Sequence, residues 1–571
     1  MGPCHQTAPS TRPPHRCIEE FRLRRIALLT AAITLAVAAV CAPAQESSLP
    51  DIGSSAGELL NPAQQEEYGG MMLAQLRHYE YILEDPLVDG WLDTLGTRLA
   101  ASSDRPRQPF TFFMLRQRQI NAFATLGGYI GVNAGLVLAA EREDEVAAVM
   151  AHEIAHVTQQ HVLRGVERAQ RDQLPILLAM LGAIVAAQAA GGNSSDDASQ
   201  AALIGAMGIM QQRQIDYTRA NESEADRVGI QTLSRSQFDP MAMADFFSTM
   251  QARSRSNAAN WYGETPDYLR THPVTTTRIT EAKERSAQIR RANGTAEVCV
   301  RDPDGVALCR TEGTPGPTFA GDSGAVNPLL PGGLQVTGAA LARGGTGEFD
   351  YARERIRVLS ANTPAMAVQE YERLQKAKPL KPAEQYGFAV ARLLANQPAA
   401  AAKSLASLLA ERPGDRWIGL ALAEAESQSG RIDAADARFE AMLRETPDNR
   451  AVALTYARAL TQRSSPAAGR RAQAVLRPLL GRSGDDPVFQ RLFARACEVA
   501  GDPVRAGEAY AEAAYLSGRA EQALVQLNTL RKRPEVDYYA RQRIEARIAA
   551  ITPTVLELKR QGIRDEDLRR R

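Results

Sequence analysis

The sequence predicts a chain of two parts, an α+β domain followed by an all-α solenoid of repeated helix pairs. An H-E-x-x-H segment, Met150–His156, lies where apolar residues recur with helical spacing. Beyond a Gly/Pro-rich stretch at 310–350, the chain becomes rich in Ala and Leu. There the sequence P-G-D-R at Pro413–Arg416 returns as P-D-N-R at Pro447–Arg450, an offset of 34 residues. This offset is the period of tetratricopeptide repeats.

The first 44 residues predict an export signal. Three arginines precede an apolar run from Ile26 to Cys41, and Ala42–Ala44 has the small-x-small form of a cleavage site. We expect residues 1–44 to be a signal peptide and the mature chain to begin near Gln45. A retained membrane anchor is the alternative, although the run is short for a membrane span.

Residues 120–133 contain three glycines between apolar segments and predict a Gly-interrupted β-ribbon. The edge of such a ribbon could pair with an extended polypeptide by strand addition. This segment precedes the H-E-x-x-H helix, so we expect the ribbon and the helix to belong to one domain, residues 45–309.

The H-E-x-x-H helix offers ligands for a metal ion. His152 and His156 are four residues apart and project from one helical face, close enough to bind one metal. Zinc suits two imidazoles and an oxygen ligand with an open position for water, whose proton Glu153 can accept. The pattern predicts metal-assisted peptide hydrolysis, with a solvated His/Glu helix face as the alternative for the bare motif. His161 would lie on the opposite side of this helix, so we expect a polar surface residue.

A second helix offers the missing carboxylate. Glu222 and Asp226 are four residues apart and share a face, whereas Glu224 points away. Glu222 is the predicted third ligand of a gluzincin-type site. Asp226 would accept the outer N–H of a ligating histidine and fix its tautomer. A solvated acidic helix is the alternative for such a pair alone.

The segment 174–210, between these two helices, contains two apolar runs separated by a polar loop. Both runs are short and rich in Gly and Ala. They predict either a helical hairpin that contacts a membrane surface or a pair of helices packed on the domain.

Two cysteines mark a predicted hairpin at the end of the first domain. Cys299 and Cys309 lie symmetrically about Pro303–Gly305, and alternating residues surround this turn. In an exported protein, the two thiols could close a short disulfide loop.

The predicted repeat domain, 351–571, follows a linker or extended wrap at 310–350. Small, aromatic and proline residues follow the order expected within one repeat at Gly430, Ala435, Phe439 and Pro447, and in part within another at Gly501, Ala506, Tyr510 and Ala513. The two sets are not a whole number of repeats apart, which predicts an irregular insertion near Ser464–Pro466. An unrelated helical bundle is the alternative. A repeat array would present a curved surface for a protein or peptide partner.

These motifs resemble the HtpX-like and CAAX-prenyl-endoprotease superfamily of zinc peptidases. The resemblance rests on H-E-x-x-H, on E-x-x-x-D with Arg219 before it, and on the strand region 120–133. The segment Tyr268–Pro273, followed by Thr277–Ile279, is similar to a motif of a periplasmic branch of this superfamily. In that branch, a histidine here can take the fourth zinc position and hold the enzyme off, so the resemblance implies this role for His272. A structural histidine on a constrained His–Pro turn is the alternative.

The resemblance also implies a function. The fold would be an α+β zincin-like (gluzincin) metalloprotease domain followed by the repeat solenoid, with one Zn²⁺ per chain. The expected function is a periplasmic endopeptidase that hydrolyses misfolded or stalled outer-membrane proteins, while its repeats dock on the assembly machinery. The competing function is a chaperone or assembly scaffold with little basal proteolysis. The net charge of +1, without a basic stripe interleaved with aromatics, disfavours a nucleic-acid partner.

Overall fold

A computed structural model of the chain describes residues 60–168, 218–258, 267–292, 295–301, 307–313 and 345–560. The predicted signal peptide 1–44 and the apolar insertion 174–210 lie outside these ranges, and both stay predictions. Among the described helices, none combines the length and the hydropathy that a membrane span requires.

The α+β part contains a three-stranded sheet in the order β1-β3-β2. β1 (Thr111–Leu115) runs parallel to β3 (Tyr129–Asn133), and β2 (Ala122–Ala124) runs antiparallel to it. β2 and β3 form the predicted ribbon, and their turn requires glycine: Gly127 has φ 74°, and a Cβ there would lie 2.7 Å from the Gln65 carbonyl oxygen. The helices of this part are α1 Pro62–His78, α2 Pro86–Ala101, α3 Ala134–Ala139, α4 Glu143–Thr158, α5 161–168, α6 218–235, α7 Ala242–Ala258, α8 Asp267–Thr271 and α9 Thr276–Ala292.

The helix α4 carries the H-E-x-x-H motif and is almost wholly buried. Three acidic residues in its first turn suit the positive end of the helix dipole. Val146, Val149, Met150 and Ile154 are each fully buried, as their helical spacing predicts. A buried helix of this kind is a rigid support for side chains that must be held within fractions of an ångström.

The second part is all-helical. Its helices are α10 Phe349–Leu359, α11 Pro364–Ala377, α12 Pro382–Leu394, α13 Pro398–Glu411, α14 Arg416–Gln428, α15 Ile432–Glu445, α16 Arg450–Gln462, α17 Pro466–Leu476, α18 Pro487–Ala500, α19 Pro503–Leu516, α20 Ala520–Leu530 and α21 Tyr538–Arg560. From α14 onward they alternate as the first and second helices of repeats. Gly430 and Gly501, with φ 83° and 86°, follow α14 and α18, where a left-handed residue ends a helix without strain.

The irregular insertion lies after α17, so its predicted location near Ser464–Pro466 is wrong. The first helices α14, α16 and α18 begin at residues 416, 450 and 487, which are 34 and 37 residues apart. The second helices α15, α17 and α19 begin at 432, 466 and 503, again 34 and 37 residues apart. The three extra residues therefore lie between residues 466 and 487, where a 3₁₀ turn, Arg477–Leu479, extends α17.

The two parts share one hydrophobic core, which runs without interruption from α2 to α18. At their junction the Arg355 guanidinium of α10 donates twice to Asp85 before α2, each time at 2.7 Å. Glu143, at the start of α4, accepts from Trp91 Nε1 at 2.6 Å and from the Thr346 backbone at 2.5 Å. The end of the predicted linker is thus bound to the N-terminus of the H-E-x-x-H helix.

The predicted hairpin is present as β4 (Thr295–Arg301) and β5 (Ala307–Gly313), which pair antiparallel. Residues 310–313 of the predicted linker therefore belong to a strand, and 349–350 belong to α10. The register places Cys299 directly opposite Cys309.

The disulfide itself stays a prediction. Directly opposed strand residues lie at a Cα separation that a disulfide can span. We expect mass spectrometry of the exported protein to find a peptide pair containing both cysteines that is lighter by two hydrogen atoms before reduction. Two free thiols in exported protein would contradict the disulfide.

Candidate metal centre

Four side chains from three segments converge on one point in the α+β part. His152 and His156 come from α4, Glu222 from α6, and His272 follows α8. Each offers one nitrogen or oxygen, and these four atoms all lie within 4.8 Å of one another. The structure therefore brings together the three side chains predicted as ligands and the histidine predicted for the fourth position.

Five of the six separations among these four groups are close to the edges of a tetrahedral zinc site when the nearer Glu222 oxygen is taken for each, and the sixth, between His156 and His272, is within 4.8 Å. With zinc–ligand bonds of about 2.1 Å, a tetrahedron has edges of about 3.4 Å. His152 Nε2 lies 3.0 Å from His156 Nε2, 3.3 Å from His272 Nδ1 and 3.4 Å from a Glu222 oxygen. The other Glu222 oxygen lies 3.4 Å from His156 Nε2 and 3.0 Å from His272 Nδ1. Facing ring nitrogens cannot all donate to one another, and a shared cation would satisfy their lone pairs.

Small residues let α6 pack closely against α4. A Cβ at Gly229 would lie 3.2 Å from the His152 backbone nitrogen, so only glycine leaves this packing undisturbed. Ala155, Ala225 and Val228 form a small apolar cluster of buried residues beside it. This close approach places the carboxylates of α6 within reach of the α4 histidines.

Asp226 and Arg278 contact the convergent side chains on the faces that point away from the cluster. Asp226 Oδ1 lies 2.9 Å from His152 Nδ1, the ring nitrogen that faces away from the cluster. The Arg278 guanidinium donates to both Asp226 oxygens at 2.7 Å, and its Nη1 lies 2.9 Å from Glu222. The same Nη1 donates to the Pro273 carbonyl at 2.9 Å. Sequence reasoning assigned no role to Arg278, because the carboxylates that it binds, those of Asp226 and Glu222, lie more than 50 residues away in the chain.

The carboxylates make this cluster attractive to a cation. Burial alone would raise the pKa of Glu222, but hydrogen bonds from His152, His156 and His272 hold it well below the usual range. Burial likewise opposes the charge of Asp226, and the hydrogen bonds from Arg278 keep its pKa lowered. Burial would lower the pKa of His152, yet Asp226 and Glu222 outweigh it and raise the pKa to about 10. Both carboxylates are ionised at neutral pH, and positive charge at the centre is stabilised.

His272 is held against the other three convergent side chains by its ring and by its backbone. The Tyr268 ring stacks on the His272 ring, with 4.9 Å between centroids. The His272 amide donates to the Tyr268 carbonyl at 2.7 Å, and the Tyr268 amide donates to Ile120 at 3.1 Å. On its other side, His272 Nε2 lies 3.5 Å from Glu153 Oε1. Glu153, the predicted proton acceptor, thus lies directly beside His272, the side chain predicted for the fourth zinc position.

The prediction for His161 is wrong: the side chain is buried and contacts the centre. The helix α4 ends at Thr158, and Gln160 adopts a left-handed φ of 56°. The chain turns there, so His161 does not continue the helical periodicity. His161 Nδ1 lies 2.9 Å from His156 Nδ1, and its Nε2 lies 3.2 Å from Glu224. Burial and the neighbouring His156 lower the pKa of His161 to about 4, so its ring is neutral at pH 7.

A helix with H-E-x-x-H, a carboxylate from a second helix and a small sheet define a zincin-type metallopeptidase. Residues 86–286 match the model of peptidase family M48, and residues 392–459 match that of the tetratricopeptide repeat. A beta-barrel assembly-enhancing protease of Yersinia pestis is 30% identical over 510 residues, 89% of this chain and 92% of the relative. The chain belongs to peptidase family M48, among the homologues of beta-barrel assembly-enhancing proteases.

Other relatives match over shorter stretches. A Vibrio cholerae relative is 42% identical over 260 residues, 45% of this chain and 52% of the relative. The mitochondrial metalloendopeptidase OMA1 of Schizosaccharomyces pombe is 28% identical over 196 residues, 34% of this chain and 52% of the relative. These matches span about half the length of each relative. Peptidases of family M48 depend on a metal ion, and the convergent His/Glu cluster lies within the matched residues, 86–286.

Proposed function

We propose that the chain is an exported, periplasmic zinc-dependent endopeptidase that hydrolyses misfolded or stalled outer-membrane proteins. The observation that carries the proposal is the convergence of one nitrogen or oxygen each from His152, His156, Glu222 and His272, all within 4.8 Å of one another, beside Glu153. The name of the Yersinia pestis relative supports the substrate class. The repeat domain, α10 to α21, would dock on the assembly machinery. Peripheral membrane contact by 174–210 is part of the proposal but lies outside the described residues.

Zinc bound by His152, His156 and Glu222 would polarise a peptide carbonyl and acidify a water molecule at the fourth position. Glu153 would accept the proton of that water at Oε1, which faces the fourth position, and then donate it to the leaving amine. Asp226 would hold the His152 ring in one tautomer, and Arg278 would hold Asp226 and Glu222 in place. The edge of β2 would pair with the extended substrate backbone.

We propose that His272 keeps this centre closed at rest. Its Nδ1 lies 3.0 Å from Glu222 and 3.3 Å from His152, so the ring takes the place that the attacking water needs. Substrate binding would have to move the segment between α8 and α9 before hydrolysis can begin. The enzyme would therefore be slow on substrates that do not displace this segment.

Replacing His272 with Ala is expected to increase the cleavage of an unfolded protein by about tenfold, which corresponds to about 1.4 kcal/mol for vacating the fourth position. Initial rates at equal zinc occupancy measure the effect. His78→Ala, at a histidine of α1 that is not among the convergent side chains, is the matched control. Unchanged activity in His272→Ala would contradict inhibition, and a large loss would instead indicate that His272 stabilises the transition state.

A chaperone or assembly scaffold is the second candidate function, and the closed fourth position favours it. A protein whose centre is filled by its own histidine can bind unfolded chains at the β2 edge without cleaving them. Cells in which Glu153→Gln replaces the wild-type protein distinguish the two. Normal outer-membrane assembly in such cells would favour the scaffold, and defective assembly would favour the peptidase.

A further inference from the structure

The outer ring nitrogen of His156 contacts a different kind of group from the one that the outer ring nitrogen of His152 contacts. His156 Nε2 faces the convergent ligand atoms, and its Nδ1 faces His161 at 2.9 Å. His161 continues the chain of contacts to Glu224 at 3.2 Å. The Arg164 guanidinium reaches the same Glu224 oxygen at 3.1 Å.

A short backbone turn between α4 and α5 places the two rings in contact. The Gln160 amide donates to Val157, and the Arg164 amide donates to Gln160, so α4 ends and α5 begins around one left-handed residue. The turn places His161, at the start of α5, directly against the outer face of His156. His161 is only 4% exposed, so its ring has been withdrawn from water to make these contacts.

When a metal is bound, each hydrogen bond in this chain of contacts has only one possible donor and one possible acceptor. His156 Nε2 must present a lone pair to the metal, so its proton lies on Nδ1. That N–H can donate only if His161 Nδ1 carries a lone pair. The proton of a neutral His161 then lies on Nε2, where it donates to Glu224. Each ring therefore fixes the tautomer of the next.

We propose that His161 and Glu224 are positioning residues that orient His156 and hold it in the metal-binding tautomer. The inference rests on the proposed metal site and adds two residues to it. It predicts that the two α4 histidines are supported by different means. A carboxylate, Asp226, lies directly against His152, whereas Glu224 reaches His156 only through a neutral imidazole. Removing the intermediate ring should therefore weaken metal binding without removing any metal ligand.

Zinc affinity of the full chain, measured by competition with a chromogenic chelator, tests the proposal. We expect His161→Phe to weaken zinc binding about 10- to 100-fold, the usual effect of losing an outer partner of a ligating histidine. His161→Asn can keep an acceptor near His156 Nδ1 and should restore part of the affinity. His78→Phe is the matched control and should bind zinc like the wild type.

The outcomes separate the two levels of the proposal. A wild-type chain that does not bind one zinc would overturn the site itself. A wild type that binds zinc, with equal affinity in His161→Phe, would overturn only the role of His161. If His161→Phe does not fold, the zinc affinity of Glu224→Gln tests the proposal instead. The Glu224 side chain is 28% exposed, so this substitution should not prevent folding. We expect a several-fold weaker affinity in that variant, and an unchanged affinity would overturn the proposal.

Discussion

Replacing Glu153 with Gln is expected to lower the cleavage of an unfolded protein by about 10³-fold, because a positioned general base contributes about 10² to 10⁴ to the rate. Glutamine preserves the size of the side chain but cannot accept the proton of the attacking water. Glu153 is 1% exposed, and the isosteric change leaves α4 and its packing undisturbed. The free-energy barrier should rise by about 4 kcal/mol.

Zinc content and cleavage must be measured on the same preparation. Glu153 is not among the convergent ligand atoms, so Glu153→Gln should bind one zinc as the wild type does. Glu372→Gln, at an exposed glutamate of α11, is the matched control and should cleave normally. Cleavage that is undiminished in Glu153→Gln with zinc bound would refute the proposed mechanism.

Replacing Arg355 with Ala is expected to lower the free energy of unfolding by about 3–5 kcal/mol, the usual cost of breaking a buried ion pair. The change leaves the Asp85 carboxylate, which is 5% exposed, without its two strong donors. Asp85 still caps α2 by accepting from the Leu87 and Val88 amides, but these bonds do not neutralise its charge. The Tyr386 hydroxyl also loses its contact with Arg355.

Urea unfolding of the full chain measures this effect. Arg471→Ala is the matched control, because Arg471 pairs with Glu440 on the surface, with 45% of its side chain exposed. Such an exposed pair should contribute no more than about 1 kcal/mol. An equally small loss in Arg355→Ala would show that the junction depends on apolar packing alone. The double variant Asp85→Ala with Arg355→Ala should lose less than the sum of the single losses.

Helical periodicity was sufficient to predict which side chains of α4 and α6 share a face, whereas His272 was predicted only from the family resemblance. The spacing of four residues places His152 with His156 and Glu222 with Asp226 on common faces, and both helices form as expected. The same rule failed for His161, because it assumes that α4 continues. The helix ends at Thr158 through a left-handed Gln160, and a glutamine gives no sequence signal for that conformation.

The 34-residue recurrence predicted the repeats, but the loop-like composition of Ser464–Pro466 misplaced their irregularity. Ser464–Pro466 has the composition of a loop, yet Ser465 accepts from the Ala468 amide as an N-cap, and Pro466 is the first residue of α17. Residues with the composition of a loop thus form the N-cap and first turn of a regular helix. Arg278 and Arg355 were beyond prediction for another reason. Their partners are brought to them by tertiary packing, which a single sequence does not encode as a local pattern.

The continuous core between the α+β part and the repeats limits how such proteins can be recombined. A repeat array grafted from another protein would have to reproduce the faces of α10 and α16 that pack on α2, as well as the Thr346 contact with Glu143. Chimeras that join a foreign repeat array at the Gly/Pro-rich segment would lose Phe349 and so expose Trp91. They would also leave Glu143 of α4 without its contact with Thr346. A change in the surface of the repeats is therefore expected to be tolerated better as single substitutions on the later repeats than as exchange of the whole module.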